Sequence, residues 1–325
     1  MKFSRDILKL NCKEVAREIQ DFIKNEVFSK LKKRGAVIGL SGGVDSALSS
    51  ALSVNALGAE NVIGLILPEK ETNPCSLDYA KRHAKQLDIK TFHIDITSIL
   101  NSFNIYSKKN KIIMKNFPDY KEDMKYRLTL PQNLLDKDRF NIYSLEIETK
   151  PGEIISKHIN VKDYRELVAL TNTKQRTRMV LLYYFAEKNN YIVLGTTNKT
   201  EYLQGFFVKY GDGGVDIEPL ADLYKTQVFE LAEYLNIPEV ILHRKPSPDT
   251  YSLEVSDTEF YYCIPFDKLD LLLYAYENQV DMTKIKDELI LEESQIKRAF
   301  SDFERKRKTT EHFRYLPPFP SNVAF

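Results

Sequence analysis

The sequence lacks tryptophan and contains only three cysteines among its 325 residues. Cys12, Cys75 and Cys263 lie far apart and form no Cys-x-x-Cys pair. This spacing argues against a disulfide framework and against a thiolate zinc site, so we expect a reducing compartment, the cytoplasm. The five histidines show no metal-ligand spacing either, and we assign them no role.

Long apolar runs and an excess of one charge are also absent. No stretch reaches the about 20 apolar residues that a membrane helix needs, and the first residues lack the apolar run of a signal peptide. With 47 basic and 46 acidic side chains, the formal net charge is +1. Because this balance creates no global field, we expect neither a membrane nor a nucleic acid as partner, and any anionic ligand must bind at a local site.

What the sequence does contain is an alternation of short apolar runs and amphipathic segments. The predicted strands are 36–40, 61–67, 91–96 and 191–194. The predicted helices are 11–33, 47–58, 77–87 and 174–187. This alternation predicts an α/β fold with a doubly wound, mostly parallel sheet. Ligands of such sheets bind at the carboxyl ends of the strands.

The pattern changes in an insertion at about residues 101–165. Alternating residues at 143–149 and 154–159, joined by a Pro-Gly turn, predict a β-hairpin. We interpret a lysine cluster before it as a solvated loop rather than a phosphate or nucleic-acid contact. Its members are Lys108, Lys109, Lys111 and Lys115. We expect one domain over residues 1–275 that contains this insertion, and a helical C-terminal extension with an extended tail over 276–325.

The segment Ser41-Gly-Gly-Val-Asp-Ser46 follows the first predicted strand and precedes a helix. This arrangement directs backbone N–H groups and the positive end of the helix toward an anion. Gly42 and Gly43 lack a Cβ and allow phosphate to approach, and Ser41 and Ser46 add hydroxyl donors. The segment has no Walker lysine. It carries Asp45 instead, which beside a triphosphate requires a divalent cation; the alternative is a plain Gly-Gly turn with a helix-capping aspartate.

A second motif follows the last predicted strand. It runs from Gly195-Thr-Thr-Asn-Lys-Thr-Glu201 through Lys209-Tyr-Gly-Asp-Gly-Gly-Val-Asp216 to Lys225. This motif supplies a second carboxylate, lysines that can neutralise phosphate charge, and a flexible glycine loop. The alternative is a surface turn rich in glycine and aspartate. Both motifs lie at the carboxyl ends of predicted parallel strands, so we expect them to form one site.

The first motif resembles the signature of the N-type ATP pyrophosphatases, which have the adenine-nucleotide α-hydrolase-like fold and leave AMP on their substrate. The second motif resembles ammonia-dependent NAD synthetases, and the resemblance covers about residues 5–100 and 170–275. It implies a ligase that converts deamido-NAD, ammonia and ATP into NAD, AMP and pyrophosphate through an acyl adenylate. Mg²⁺ and a homodimer are implied in the same way.

The resemblance also implies site residues by aligned position. The ATP-binding residues are Ser41, Gly42, Gly43, Asp45, Ser46, Arg178, Thr196, Lys225 and Ser247. The implied metal ligands are Asp45 and Glu201, the implied deamido-NAD residues are Lys209, Asp212 and Asp216, and the implied catalytic residues are Asp216, Lys225 and Ser247. Lys225 and the metal would stabilise the departing pyrophosphate. Asp216 would hold or deprotonate ammonium, although a structural ion pair is the alternative for this residue.

Other functions remain open at this point. A related ligase that amidates a different carboxylate is the main alternative, because the insertion replaces a short connection near the surface where family members bind deamido-NAD. A glutamine-hydrolysing enzyme needs an added amidase domain, so we expect free ammonia or a separate glutaminase. A tRNA-modifying relative needs a reactive cysteine pair or basic domains. A non-catalytic nucleotide sensor is expected to have lost Asp45, Glu201 or Lys225.

Overall fold

A parallel sheet lies at the centre of the structure, a computed structural model that describes residues 3–132, 134–137 and 141–318. The strands are β1 Ala36–Gly39, β2 Val62–Ile66, β3 Lys90–His93, β4 Lys125–Thr129, β5 Ser144–Lys150, β6 Glu153–His158 and β7 Ile192–Leu194. The helices are α1 Cys12–Lys24, α2 Val44–Leu57, α3 Pro74–Gln86, α4 Thr97–Ser102, α5 Ile105–Asn116, α6 Val161–Asn189, α7 Lys199–Gln204, α8 Lys225–Tyr234, α9 Glu239–Leu242, α10 Phe266–Glu277, α11 Met282–Leu289 and α12 Glu293–Thr310.

The central sheet has four parallel strands in the order β3-β2-β1-β7. Ala36 of β1 pairs with Val62 of β2 on one side and with Ile192 of β7 on the other. Successive residues of β1 face opposite layers, because side chains alternate along a strand. Ile38 packs with α1, α2 and α8, whereas Val37 packs with α4, α5 and α6. The predicted doubly wound α/β fold is confirmed.

The insertion contains one strand more than predicted. β4, β5 and β6 form an antiparallel sheet in that order. The predicted hairpin corresponds to β5 and β6, and Gly152 in its turn has φ +81°. β4 is the addition: Tyr126 and Leu128 on its inner face join a buried cluster with residues of α5 and α6. The small sheet is thereby anchored to the main body of the protein.

The prediction of a solvated lysine loop was wrong about the loop and about Lys109, whereas Lys108, Lys111 and Lys115 are exposed as predicted. The cluster lies on helix α5, and the helical period turns Lys109 inward while Lys108 stays exposed. Lys109 is 5% exposed, and its Nζ lies 2.6 Å from Glu71. Lys174 of α6 completes this buried ion cluster, with its Nζ 2.8 Å from Glu69 and 2.6 Å from Glu71. The cluster ties the insertion to the loop that follows β2.

Replacing Lys109 with methionine is expected to lower the free energy of unfolding by about 1.5–3 kcal/mol, because Glu71 loses one charged hydrogen-bond partner but keeps Lys174. Its exposed neighbour Lys108 offers a matched control, and Lys108→Met is expected to change the unfolding free energy by no more than about 0.5 kcal/mol. Urea unfolding of the three proteins measures both values. Equal stability of the two variants would contradict the assignment of Lys109 to the core.

The C-terminal helices share a core with the start of the chain. Buried side chains of α10, α11 and α12 form one cluster with Phe3 and Leu8. Beyond α12, the Lys209 ammonium donates hydrogen bonds to the carbonyls of His312 and Tyr315, both at 2.8 Å. The predicted helical extension over 276–325 thus includes α11 and α12, and the predicted tail beyond residue 318 lies outside the described residues. Within the described part of the chain, no helix is both long and apolar enough to span a bilayer.

Candidate active site

A cavity of about 640 Å³ opens at the carboxyl ends of the parallel strands. The loop before α2 and the segment after β7 both contribute to its wall, together with one face of α6 and residues 244–251. Parallel strands bring their carboxyl ends to one edge of a sheet, which is why two motifs about 150 residues apart in the chain meet here. The expected convergence of the two sequence motifs is present.

Hydrogen bonds of two serines stabilise residues 41–46, which we call the serine loop. The Oγ atoms of Ser41 and Ser46 lie 3.0 Å apart, and Ser46 donates to the carbonyl of Gly43 at 3.0 Å. Ser41, Gly43, Asp45 and Ser46 line the cavity. Gly42 does not line it: a Cβ on this residue would lie 2.3 Å from the carbonyl oxygen of Ser76, behind the loop. The two glycines therefore serve different purposes, close packing at Gly42 and an open cavity wall at Gly43.

Lys225 lies between two carboxylates at the mouth of this loop. Its Nζ donates to Asp45 at 2.5 Å and lies 3.4 Å from Glu201, and its side chain is 2% exposed. Burial lowers the pKa of Lys225, but the charges of Asp45 and Glu201 outweigh this effect and raise it. Burial and the nearby charge of Asp45 raise the pKa of Glu201 well above its usual range. The cluster is therefore short of positive charge.

Helix starts fix the positions of these groups. Asn198 caps α7 by accepting a hydrogen bond from the N–H of Glu201 at 3.0 Å, and the Glu201 carboxylate accepts from the N–H of Asn198 at 3.2 Å. Asn198 also donates from its amide to Asp45 at 2.9 Å, which links the two motifs. Sequence analysis missed this residue, although the Asn-x-x-Glu spacing is a capping-box signal that could have identified it.

A buried aspartate holds the two helix starts together. Asp270 of α10 accepts hydrogen bonds from the Thr200 hydroxyl at 2.7 Å and from the N–H of Thr226 at 2.8 Å. The Thr200 hydroxyl in turn accepts from the N–H of Lys225 at 3.0 Å. The chain segments that carry Glu201 and Lys225 are thus joined through a side chain that is completely buried.

Asp45 and Glu201 fit a divalent cation. Their carboxylates approach the same ammonium group from the first turns of two helices, α2 and α7, and their mutual repulsion raises the pKa of Glu201 beyond the effect of burial. Mg²⁺ is commonly held by one or two carboxylates together with substrate phosphates and water. No group of three or more His, Cys, Asp or Glu residues in the described ranges could hold a metal ion by itself, so phosphate oxygens and water would have to complete such a site.

The remaining predicted residues, with one exception, line the same cavity. They are Arg178, Thr196, Lys209, Asp212, Lys225 and Ser247. The Arg178 guanidinium donates to the carbonyl of Leu67 at 3.1 Å, and the Asp212 carboxylate accepts from the N–H of Val208 at 3.1 Å. Burial raises the pKa of Asp212 to about 6. Lys209 contributes to the wall, but its ammonium is bonded to the C-terminal segment, as described above.

The exception is Asp216, for which the resemblance implies catalysis and deamido-NAD binding. Asp216 is exposed and does not line the cavity. Its carboxylate accepts hydrogen bonds from the Tyr183 hydroxyl at 3.1 Å and from the N–H of Val193 at 2.7 Å. The neighbouring Ile217 bridges to Leu194 as a strand would. Side chains alternate along an extended segment, so burial of Ile217 directs Asp216 away from it.

Replacing Asp216 with asparagine is expected to lower the free energy of unfolding by about 1–2 kcal/mol, because a charged acceptor of two hydrogen bonds becomes neutral. Turnover is expected to stay close to that of the wild type, because the side chain points away from the cavity. Steady-state kinetics and urea unfolding of the same preparations separate the two effects. If turnover falls by about two orders of magnitude, as on removal of a group that acts in the transition state, while stability is unchanged, the catalytic role that the sequence motif implies is restored.

Sequence analysis missed a positively charged side chain, Arg244, beside the serine loop. The Arg244 guanidinium lies 3.4 Å from the Gly42 carbonyl and 3.6 Å from Asp249, and both Arg244 and Asp249 line the cavity. Arg244 directly precedes the segment Lys245-Pro-Ser-Pro248. Within this segment, the sequence analysis predicted a role only for Ser247. Neither spacing nor periodicity marks this arginine, because the fold alone brings it to the loop.

Aromatic side chains line the part of the cavity away from the serine loop. Tyr143, Tyr164, Phe206, Phe260 and Tyr261 all line it. The rings of Tyr143 and Tyr164 stack with centroids 4.4 Å apart, and those of Phe206 and Tyr261 stack at 4.7 Å. Tyr143 belongs to the insertion, so the insertion shapes this half of the cavity. The cavity thus combines a polar half at the serine loop with an aromatic half that can receive a planar ring.

Comparison with known proteins agrees with this geometry. Two solved structures share the fold over 96% of this chain and 100% of their own. NMN synthetase from Francisella tularensis has a TM-score of 0.67 and a sequence identity of 23%. NH3-dependent NAD synthetase from Campylobacter jejuni has a TM-score of 0.62 and a sequence identity of 24%. The NH(3)-dependent NAD(+) synthetase of Rhizobium meliloti (strain 1021) is 39% identical over 315 residues, which cover 97% of this chain and 94% of that protein. The family model for NAD synthase matches residues 15–129 and 112–317. The chain therefore belongs to the NAD synthase family.

Proposed function

We propose that the protein is an ATP-dependent ligase that forms NAD, AMP and pyrophosphate from deamido-NAD, ammonia and ATP. The observation that carries this proposal is the position of Lys225, buried between Asp45 and Glu201 beside the serine loop. Such a cluster can bind a metal–triphosphate and offset the charge that develops when the bond between its α- and β-phosphates breaks. The family to which the chain belongs supports the identity of the acceptor.

Different residues of the cavity bind the phosphates, stabilise the leaving group and hold the metal ion. Ser41, Ser46 and the N–H groups at the start of α2 hold phosphate oxygens. Lys225 moves its hydrogen bond from Asp45 to the departing pyrophosphate, and Ser247 adds a hydroxyl donor on the same side. When bound to Asp45 and Glu201, Mg²⁺ supplies positive charge against the triphosphate. The acceptor carboxylate bonds to the α-phosphorus as pyrophosphate leaves. Ammonia then bonds to the acyl carbon, the bond from this carbon to the AMP oxygen breaks, and the proton that the nitrogen loses passes to solvent.

The aromatic half of the cavity receives the acceptor ring. Its stacked tyrosines provide flat apolar surfaces, which suit the pyridine ring of deamido-NAD. Asp212 and Lys209 lie on the wall of the same cavity and contribute polar contacts. A ligase that amidates a different carboxylate stays the alternative, since a structure described as NMN synthetase has this fold as well.

Incubation of the protein with ATP, MgCl₂, ammonium chloride and deamido-NAD tests the proposal. We expect NAD and AMP to form in equal amounts, and glutamine not to replace ammonium. Parallel reactions with the mononucleotide of nicotinic acid, and with no acceptor, identify the acid that is activated. Formation of AMP only with an acid other than deamido-NAD would overturn the assignment of the acceptor but not that of the adenylation chemistry.

The protein acts as a homodimer in the cytoplasm, and its ammonia comes from solution or from a separate glutaminase. An exposed apolar strip on α6 supports the dimer, with Val180 and Tyr184 being 60% and 56% exposed. Exposed apolar side chains one helical turn apart lie on the same helix face and are candidates for an interface. Sedimentation velocity tests the dimer, and replacement of Val180 by aspartate is expected to shift the protein toward monomer. A monomeric wild-type protein at micromolar concentration would rule the dimer out.

A further inference from the structure

Asp257 is a buried carboxylate of the cavity wall to which neither the sequence motifs nor the mechanism above gives a role. It lies directly before the short helical segment Thr258–Tyr262, and its side chain is 4% exposed. Its backbone N–H donates to the carbonyl of Pro246 at 2.9 Å, which fixes its position. Among the residues that the structure describes, none provides a hydrogen-bond partner for its Oδ1 atom. An unpaired buried carboxylate oxygen is costly, and a bound ion, water or a catalytic role is the usual reason for one.

The surroundings of Asp257 indicate the charge of that ligand. Asp257 interacts electrostatically with Lys225, Asp45 and Glu201, and with Arg244 on the other side. Arg244 already neighbours Asp249. Around Lys225, three carboxylates thus face one ammonium group, on the wall where a polyanionic nucleotide binds in the proposed function. When all three carboxylates are ionised, this end of the cavity carries more negative than positive charge, which a divalent cation would offset.

We propose that Asp257 is the third carboxylate of the divalent-cation site and acts on the cation through water, whereas Asp45 and Glu201 contact it directly. Asp45 and Glu201 contact the Lys225 ammonium at 2.5 and 3.4 Å, whereas Asp257 interacts with it only electrostatically, and this difference supports the indirect role. Carboxylates that orient the ligands of a metal through hydrogen bonds typically change its affinity by about 10- to 100-fold when removed. Asp257 is therefore a positioning residue. The inference rests on the Mg²⁺ of the proposed function.

Binding of Mn²⁺, measured by electron paramagnetic resonance of the free ion, tests the inference without any turnover. Titrations are carried out on the wild-type protein and on Asp257→Asn, with and without a non-hydrolysable ATP analogue. We expect Asp257→Asn to weaken Mn²⁺ binding by about 10- to 100-fold in both conditions. Glu254→Gln is the matched control. Glu254 lies three residues before Asp257 and its side chain is exposed, so the variant loses the same charge but is expected to leave the Mn²⁺ affinity unchanged.

Two further variants make each outcome decisive. Asp45→Asn removes a proposed direct ligand and is expected to weaken Mn²⁺ binding more than Asp257→Asn does. If Asp45→Asn has no effect, the proposed metal site fails and the inference about Asp257 fails with it. If Asp45→Asn weakens binding but Asp257→Asn does not, only the role of Asp257 is overturned. Asp257→Glu keeps the charge and is expected to restore most of the affinity; if it binds as weakly as Asp257→Asn in a folded protein, as judged by its melting temperature, the role of the charge is disproved.

Discussion

Replacing Lys225 with methionine is expected to lower kcat for NAD formation by about 100- to 1,000-fold, the loss that follows when one preorganised donor to a developing charge is removed. Methionine keeps the apolar stem of the side chain and removes the ammonium. In the absence of nucleotide, Asp45 and Glu201 then face each other with no cation between them. Because breaking a buried ion pair costs about 3–5 kcal/mol, the variant is also expected to melt at a lower temperature than the wild-type protein.

The two effects can be separated by measuring them with and without Mg²⁺. A divalent cation replaces the missing positive charge, so saturating Mg²⁺ is expected to raise the melting temperature of Lys225→Met more than that of the wild type. It is not expected to restore kcat, because the donor to pyrophosphate is still absent. Lys199→Met is the control: Lys199 has carboxylate partners in Asp222 and Glu277 but lies outside the cavity. A fully active, folded Lys225→Met protein would disprove the role of this lysine.

The parts of the site that sequence predicted are those set by local pattern. The run Ala36–Gly39 followed by a Gly-Gly turn predicts a strand, a turn and a helix, and the structure contains all three. The rule for parallel sheets then predicts that this loop lies near Glu201 and Lys225, although they are far away in sequence. Chemistry that depends on backbone direction and on the order of strands can therefore be inferred from the amino-acid sequence.

What sequence could not predict depends on the direction of single side chains. The motif places Asp216 close to Asp212 in the chain, yet pairing of Ile217 with Leu194 turns it out of the cavity. In α5, two adjacent lysines look alike in the sequence, and only the packing of the helix makes Lys109 a partner of Glu71. No sequence signal gives Asp257 a role, and its importance follows from burial without a partner for Oδ1 among the described residues. Each of these properties arises from tertiary contacts.

Replacing Gly42 with alanine is expected to lower the free energy of unfolding and to abolish tight binding of ATP. Gly42 has φ +79°, and a residue with a Cβ in this region costs about 1–3 kcal/mol. The added methyl group would also lie 2.3 Å from the backbone oxygen of Ser76. Since backbone cannot rotate away as a side chain can, either the loop or the start of α3 must shift. A displaced loop no longer directs its N–H groups and Asp45 toward the phosphates.

Gly43→Ala provides the matched comparison, because the same methyl group is added one residue later with a different consequence. Gly43 has φ −96°, which any residue adopts, and its Cβ would meet only the Ser41 hydroxyl, at 3.3 Å. We therefore expect the free energy of unfolding of Gly43→Ala to lie within about 1 kcal/mol of the wild-type value. Its methyl group faces the cavity, so its effect should be a higher KM for ATP. If instead Gly42→Ala is as stable as the wild type and Gly43→Ala is not, the loop has a different conformation from the one described.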